Sequence, residues 1–138
     1  MGTNINSTSD SGFADALAAA REPDVVIYCG GIDTSIESEA NDRVAITWPG
    51  NQLDLVSQLS KLEKPLVIAQ FGGGQIDDTA LVENENVDTL FWAELPSQSG
   101  GSALHDLVVG KESFTGRLPT TQYLASYAQD IVIFNINL

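Results

Sequence analysis

Hydrophobic and polar positions fall in blocks along the chain, and the blocks change period. Residues 1–11, rich in Ser, Thr, Asn and Gly, predict a flexible lead-in. Phe13, Ala16, Leu17 and Ala20 then recur at helical spacing, with Asp10 or Ser11 placed to cap the first turn and Arg21-Glu22-Pro23 to end it. Residues 24–29 read as a strand. Residues 44–48 predict a short extended piece, and Pro49-Gly50-Asn51 opens a second helix whose stripe is Leu53, Val56, Leu59 and Leu62. Leu66-Val67-Ile68-Ala69 is apolar without alternation, as a strand buried in a parallel sheet should be. A short helical piece around 77–82, a strand at 87–92 and a helix with Ala103, Leu104, Leu107 and Val108, ended by Gly110, follow. Residues 131–134 read as an edge strand. Helices alternate with strands throughout, which argues for one α/β domain over residues 1–138 with a mainly parallel sheet.

Ligands of open α/β sheets bind beyond the carboxyl ends of the strands. Three loops reach that edge: the acidic loop after Cys29, the Gly72-Gly73-Gly74 loop, and the loop from Ala93-Glu94. Composition narrows the partners. The 138 residues hold 19 acids against 6 bases, a formal charge of −13, which disfavours nucleic acid and anionic membrane surfaces. The acidity itself is read as solubility. No stretch approaches the ~20 apolar residues of a membrane helix, and no signal peptide is read at the N-terminus. Asn6-Ser7-Thr8 is a glycosylation sequon, of consequence only in a secreted protein. Cys29 is the only cysteine, so it forms no internal disulfide, and its place at a strand end predicts a small core hydrophobe.

Glu37, Glu39 and Asp42, with Arg43 beside them, are the strongest local constellation. Crowded carboxylates repel, which raises the affinity of at least one for its proton and suits a general acid. Spacing alone favours a solvated acidic loop. Gly72-Gly73-Gly74 lacks the Lys-Ser/Thr of a phosphate loop and reads as a tight turn; Asp77-Asp78 reads as a helix cap, and His105 as a surface or satisfied histidine. Trp48 and Trp92 divide evenly between core and a stacking face for a sugar. No metal or cofactor site is expected.

Six ordered segments, however, are familiar: Val25-Val26-Ile27-Tyr28, Glu39-Ala40-Asn41-Asp42-Arg43, Trp48-Pro49-Gly50-Asn51-Gln52, Gln70-Phe71-Gly72-Gly73-Gly74, Pro96-Ser97-Gln98-Ser99-Gly100-Gly101 and Gly116-Arg117-Leu118-Pro119. Together they resemble the C-terminal domain of glycoside hydrolase family 3, and most of all its fungal β-xylosidases. The resemblance implies an α/β sandwich of three layers, truncated at its N-terminal side and lacking the family domain's opening strand and helix. It implies Glu39 as general acid/base, with Glu37 as backup, in retaining hydrolysis whose nucleophile comes from a barrel domain. Asp33, Asp42, Arg43, Trp92 and Glu94 become candidate substrate contacts. A xylo-oligosaccharide or other glycan is the implied ligand, and a barrel domain or a second copy of the chain the implied partner. The implied location is extracellular. Because the nucleophile has no counterpart here, the chain is expected to be inactive alone; a stand-alone glycan-binding protein is the alternative. Ala40 departs from the glycine usual after the acid, and Ser99 from the acid usual before Gly-Gly.

Overall fold

The computed structural model describes residues 2–130. In order they form α1 (Phe13–Ala20), β1 (Val26–Gly31), α2 (Gln52–Leu59) with a 3-10 turn at Ser60–Leu62, β2 (Leu66–Phe71), α3 (Thr79–Val82), β3 (Thr89–Glu94), α4 (Gly100–Val108) and α5 (Tyr127–Asp130). The strands make one sheet in the order β1-β2-β3, all parallel, which is the α/β architecture expected. Gly31 stands opposite Phe71, and a register shift after Gln70 brings Phe71 opposite Glu94. The three carboxyl ends therefore lie side by side, and the three loops leave from one edge.

One face of the sheet makes the core. Val26, Tyr28, Leu66 and Ile68 pack with Leu55, Val56 and Leu59 of α2, Phe13 and Ala20 of α1, and Trp48, Ile76 and Leu81. The buried stripe of α2 is 52, 55, 56 and 59, so Leu53 and Leu62 are only partly buried and a polar residue, Gln52, takes a core position at 1% exposure. Its amide is fully employed. Oε1 accepts the Gly31 N–H at 2.8 Å and the Tyr28 hydroxyl at 3.4 Å, while Nε2 donates to the carbonyls of Gly31, Ile5 and Pro49. Gln52 thus holds the end of β1 as a neighbouring strand would, and fixes where the chain turns into the acidic loop. Burial pushes the Tyr28 hydroxyl up to about 12, with the Cys29 thiol adding to the shift.

Several expectations are corrected. The first and third strands start two residues later than the pattern placed them, so Ala93 and Glu94 belong to β3. Neither Asp10 nor Ser11 caps α1; Gly12 holds that position without a side-chain bond. Residues 44–48 form no strand, because Ile46 instead receives the Asp77 N–H at 2.7 Å and Trp48 turns into the core. Cys29 is exposed: it alternates with Val26 and Tyr28 and shares the opposite face with Val25 and Ile27, exposed at 46% and 44%. Partial desolvation still pushes its thiol up. None of the α4 stripe is buried. The strand read at 131–134 lies outside the described residues.

Candidate functional site

The acidic loop is built from short-range polar bonds. At its start, Asp33 Oδ1 accepts from the Ser35 N–H at 2.9 Å and the Ser35 hydroxyl at 2.5 Å, and these bonds hold the carboxyl below its usual range. Ile36 and Glu37 donate their N–H groups to the Asp33 carbonyl. Ser38 and Asn41 then exchange backbone hydrogen bonds of 3.0 and 2.9 Å, closing a two-residue turn with Glu39 and Ala40 at its tip. Ala40 has φ +64°, the left-handed conformation in which a glycine is unstrained.

The two glutamates are treated differently. Glu37 Oε2 accepts from Arg43 Nε at 3.0 Å. Arg43, with a side chain 9% exposed, also donates from Nη2 to the Gln75 carbonyl, so one arginine joins the acidic loop to the glycine loop. Its Nη1 is buried without a partner among the described residues. The ion pair lies against Gly74, where a Cβ would come within 2.5 Å of Glu37 Oε2 and 2.6 Å of Arg43 Nη2. The sequence shows Gly74 only as part of a tight turn; its second duty depends on the arginine's position in the fold. Glu39 and Asp42 are exposed and carry no side-chain hydrogen bond or ion pair among the described residues.

The glycine loop is tied to the third strand. Gly72, at φ +136°, donates its N–H to the Glu94 carbonyl and accepts from Trp92 Nε1 at 2.7 Å. Glu94 itself adopts φ +56° and is exposed. Beyond the glycines, the expected cap is divided. Asp77 Oδ1 accepts from the Thr79 N–H and hydroxyl and Oδ2 from the Ala125 N–H; burial raises this carboxyl, but those bonds outweigh it and leave it lowered. Asp78 turns inward to accept from Trp48 Nε1 at 2.9 Å, and burial raises it, against hydrogen bonds from Trp48 and Gln70 and with the Asp77 charge adding to the rise. His105 is on the surface, beside Asp106.

Three of the candidate residues line cavities, and they fall in two different ones, while Arg43 and Glu94 line neither. One, of about 340 Å³, lies between the acidic and glycine loops and is lined by Asp33, Thr34, Glu37 and Gly74 among others. The other, of about 440 Å³, lies along β3 and takes Trp92. Glu39 and Asp42 line neither, and project from the loop rim. Among the described residues no group of three or more His, Cys, Asp or Glu could hold a metal ion. None of their helices is long and apolar enough to cross a membrane.

Residues 3–133 match the family profile described as glycosyl hydrolase family 3 C-terminal domain. The chain is 56% identical over 138 residues to a probable exo-1,4-beta-xylosidase, bxlB, of Aspergillus flavus, covering 100% of this chain and 18% of the relative. It is 55% identical to exo-1,4-beta-xylosidase xlnD of Emericella nidulans, covering 100% of this chain and 17% of the relative. The chain thus spans less than a fifth of the length of the curated relatives it matches. In three dimensions it is similar to a GH3 exo-beta-xylosidase, XlnD, solved with a xylobiose aziridine activity-based probe. That match has a TM-score of 0.92 at 57% identity, over 94% of this chain and 17% of the other. A beta-glucosidase from Listeria innocua, solved with gluconolactone, matches 80% of this chain and 15% of its own at TM-score 0.72 and 27% identity.

Proposed function

The chain belongs to the family of glycoside hydrolase family 3 C-terminal domains, and from that premise we propose that it supplies the acid/base loop and part of the sugar site of a secreted retaining β-xylosidase. The observation that carries the assignment of roles is the contrast between the two glutamates. Glu37 is occupied by Arg43 and pinned to the glycine loop, whereas Glu39 stands at the tip of a closed turn with its carboxyl unengaged. A general acid must deliver a proton to a leaving oxygen and take one back from water, so a carboxyl open to a second surface fits the role. Asp33, Thr34 and Glu37 would then face the sugar from the loop cavity, with Arg43 as the brace behind them.

In this reading the leaving-group oxygen of a xylo-oligosaccharide approaches Glu39 while a carboxylate from a barrel domain attacks the anomeric carbon from the other face. Retention requires the two carboxyls to lie ~5 to 5.5 Å apart. No carboxylate of the described residues is offered as that nucleophile, so the 138 residues alone should release no xylose from an aryl β-xyloside. Robust turnover by the purified chain, abolished in Glu39→Gln, would overturn the dependence on a second domain. In a polypeptide that joins this chain to a barrel, Glu39→Gln should lower turnover of a poor leaving group by about 10²- to 10⁴-fold. An unchanged rate there removes Glu39 from the role.

A further inference from the structure

The larger of these two cavities takes no residue of the acidic loop into its lining and has its own chemistry. After α4 the chain returns against β3 and then against the loop that follows β2. The Phe114 ring meets Phe91 of β3 with centroids 5.1 Å apart at 52°, and further on Gln75 Nε2 donates to the Tyr123 carbonyl while Asp77 accepts the Ala125 N–H. Between these attachments the segment and β3 bound a cavity of about 440 Å³, within the range of small-ligand sites. It shares only Gly74 with the cavity beside the acidic loop.

Phe91, Trp92 and Phe114 give it aromatic walls, and polar groups are placed behind them. Gln70 is 4% exposed yet lines the cavity together with Asp78, whose Oδ1 is already held by Trp48. Among the described lining residues Arg117 is the one formal positive charge and Asp78 the one formal negative, so a chain of charge −13 presents here a patch without excess negative charge. Such a surface complements an uncharged ring with apolar C–H faces for the aromatics and hydroxyls for an amide and a carboxyl. A phosphate or a carboxylate would find no excess of positive charge.

We propose that this cavity is a second glycan-binding site, independent of Glu39, that takes a neutral pyranose or a short chain of them. The walls hold the ring faces and the Gln70–Asp78 pair orients the hydroxyls. Binding here would keep a xylan chain near the protein without taking part in bond cleavage. It does not depend on the acid/base assignment.

Xylobiose titrated into the 138-residue protein, by calorimetry and by the amide and indole spectrum, tests it. The Trp92 indole N–H should move on saturation. Phe114→Ala should weaken binding by about tenfold through loss of one aromatic wall. Because Phe114 is 54% exposed the variant should keep its fold, which circular dichroism checks, and Gln122→Ala at the rim repeats the test. Glu39→Gln should leave the affinity within about twofold, since Glu39 does not line the cavity. A flat titration, an unmoved Trp92 resonance, or equal weakening by Glu39→Gln overturns the proposal. None of these outcomes bears on whether Glu39 acts as an acid in a joined enzyme.

Discussion

The chain up to Leu81 and the chain after it are packed in different ways. Every buried residue among those described lies at or before Leu81, and none lies after it. Apolar residues do not run out at that point, since Leu90, Phe91, Leu104, Leu107, Phe114 and Leu118 all follow. The helices α2 and α4 show the cause. Each carries an apolar stripe, but α2 buries four of its residues and α4 none. α2 lies in the crossover between β1 and β2, neighbouring parallel strands, and such a connection packs back onto the sheet it joins. α4 follows β3, the last strand described, and no later described strand draws it onto the sheet. An amphipathic pattern states what a helix is able to bury; the connection on either side decides whether it does.

The largest expected effect tests this contrast directly. Ile68→Ala, at the centre of the packed half, should cost about 2 to 5 kcal/mol in urea unfolding. Leu104→Ala, on the unburied stripe, should cost well under about 1 kcal/mol. Similar costs would mean that the two halves are equally packed in solution. The next effect compares strain. Ala40 and Glu94 both hold positive φ, one in each half, and a left-handed residue with a side chain is disfavoured by about 1 kcal/mol. Ala40→Gly should recover about that amount; a smaller gain from Glu94→Gly would show that the second half does not hold its backbone as firmly. The smallest effect concerns Asp78, which lies three residues before Leu81. Its folded carboxyl is raised, so the stability it contributes is present below the ordinary carboxylate range and is lost as pH rises through the raised value. Asparagine does not titrate. Relative to the native protein, Asp78→Asn should therefore gain stability as pH rises from about 4 towards 7, and a constant difference across that window would show that Asp78 is not desolvated.

The apolar run from Leu66 and the alternation of helices with strands were enough to place a parallel sheet and the edge its loops leave from, because strand burial and helix periodicity are local properties of the residues. The six motif segments were enough to point to the family, to which residues 3–133 belong. Gln52 was not legible as core, because a buried amide is tolerable only when backbone groups from Ile5, Gly31 and Pro49 converge on it. The partition of the acids was not legible either. In the sequence Glu37 and Glu39 stand six and four residues before Arg43, and the resemblance that favours Glu39 as the acid does not say which of the two the arginine holds. Only the folded loop gives Glu37 to the arginine and leaves Glu39 at the tip, because an ion pair depends on where Gly74 and the Gln75 carbonyl arrive, in a loop more than thirty residues further along the chain.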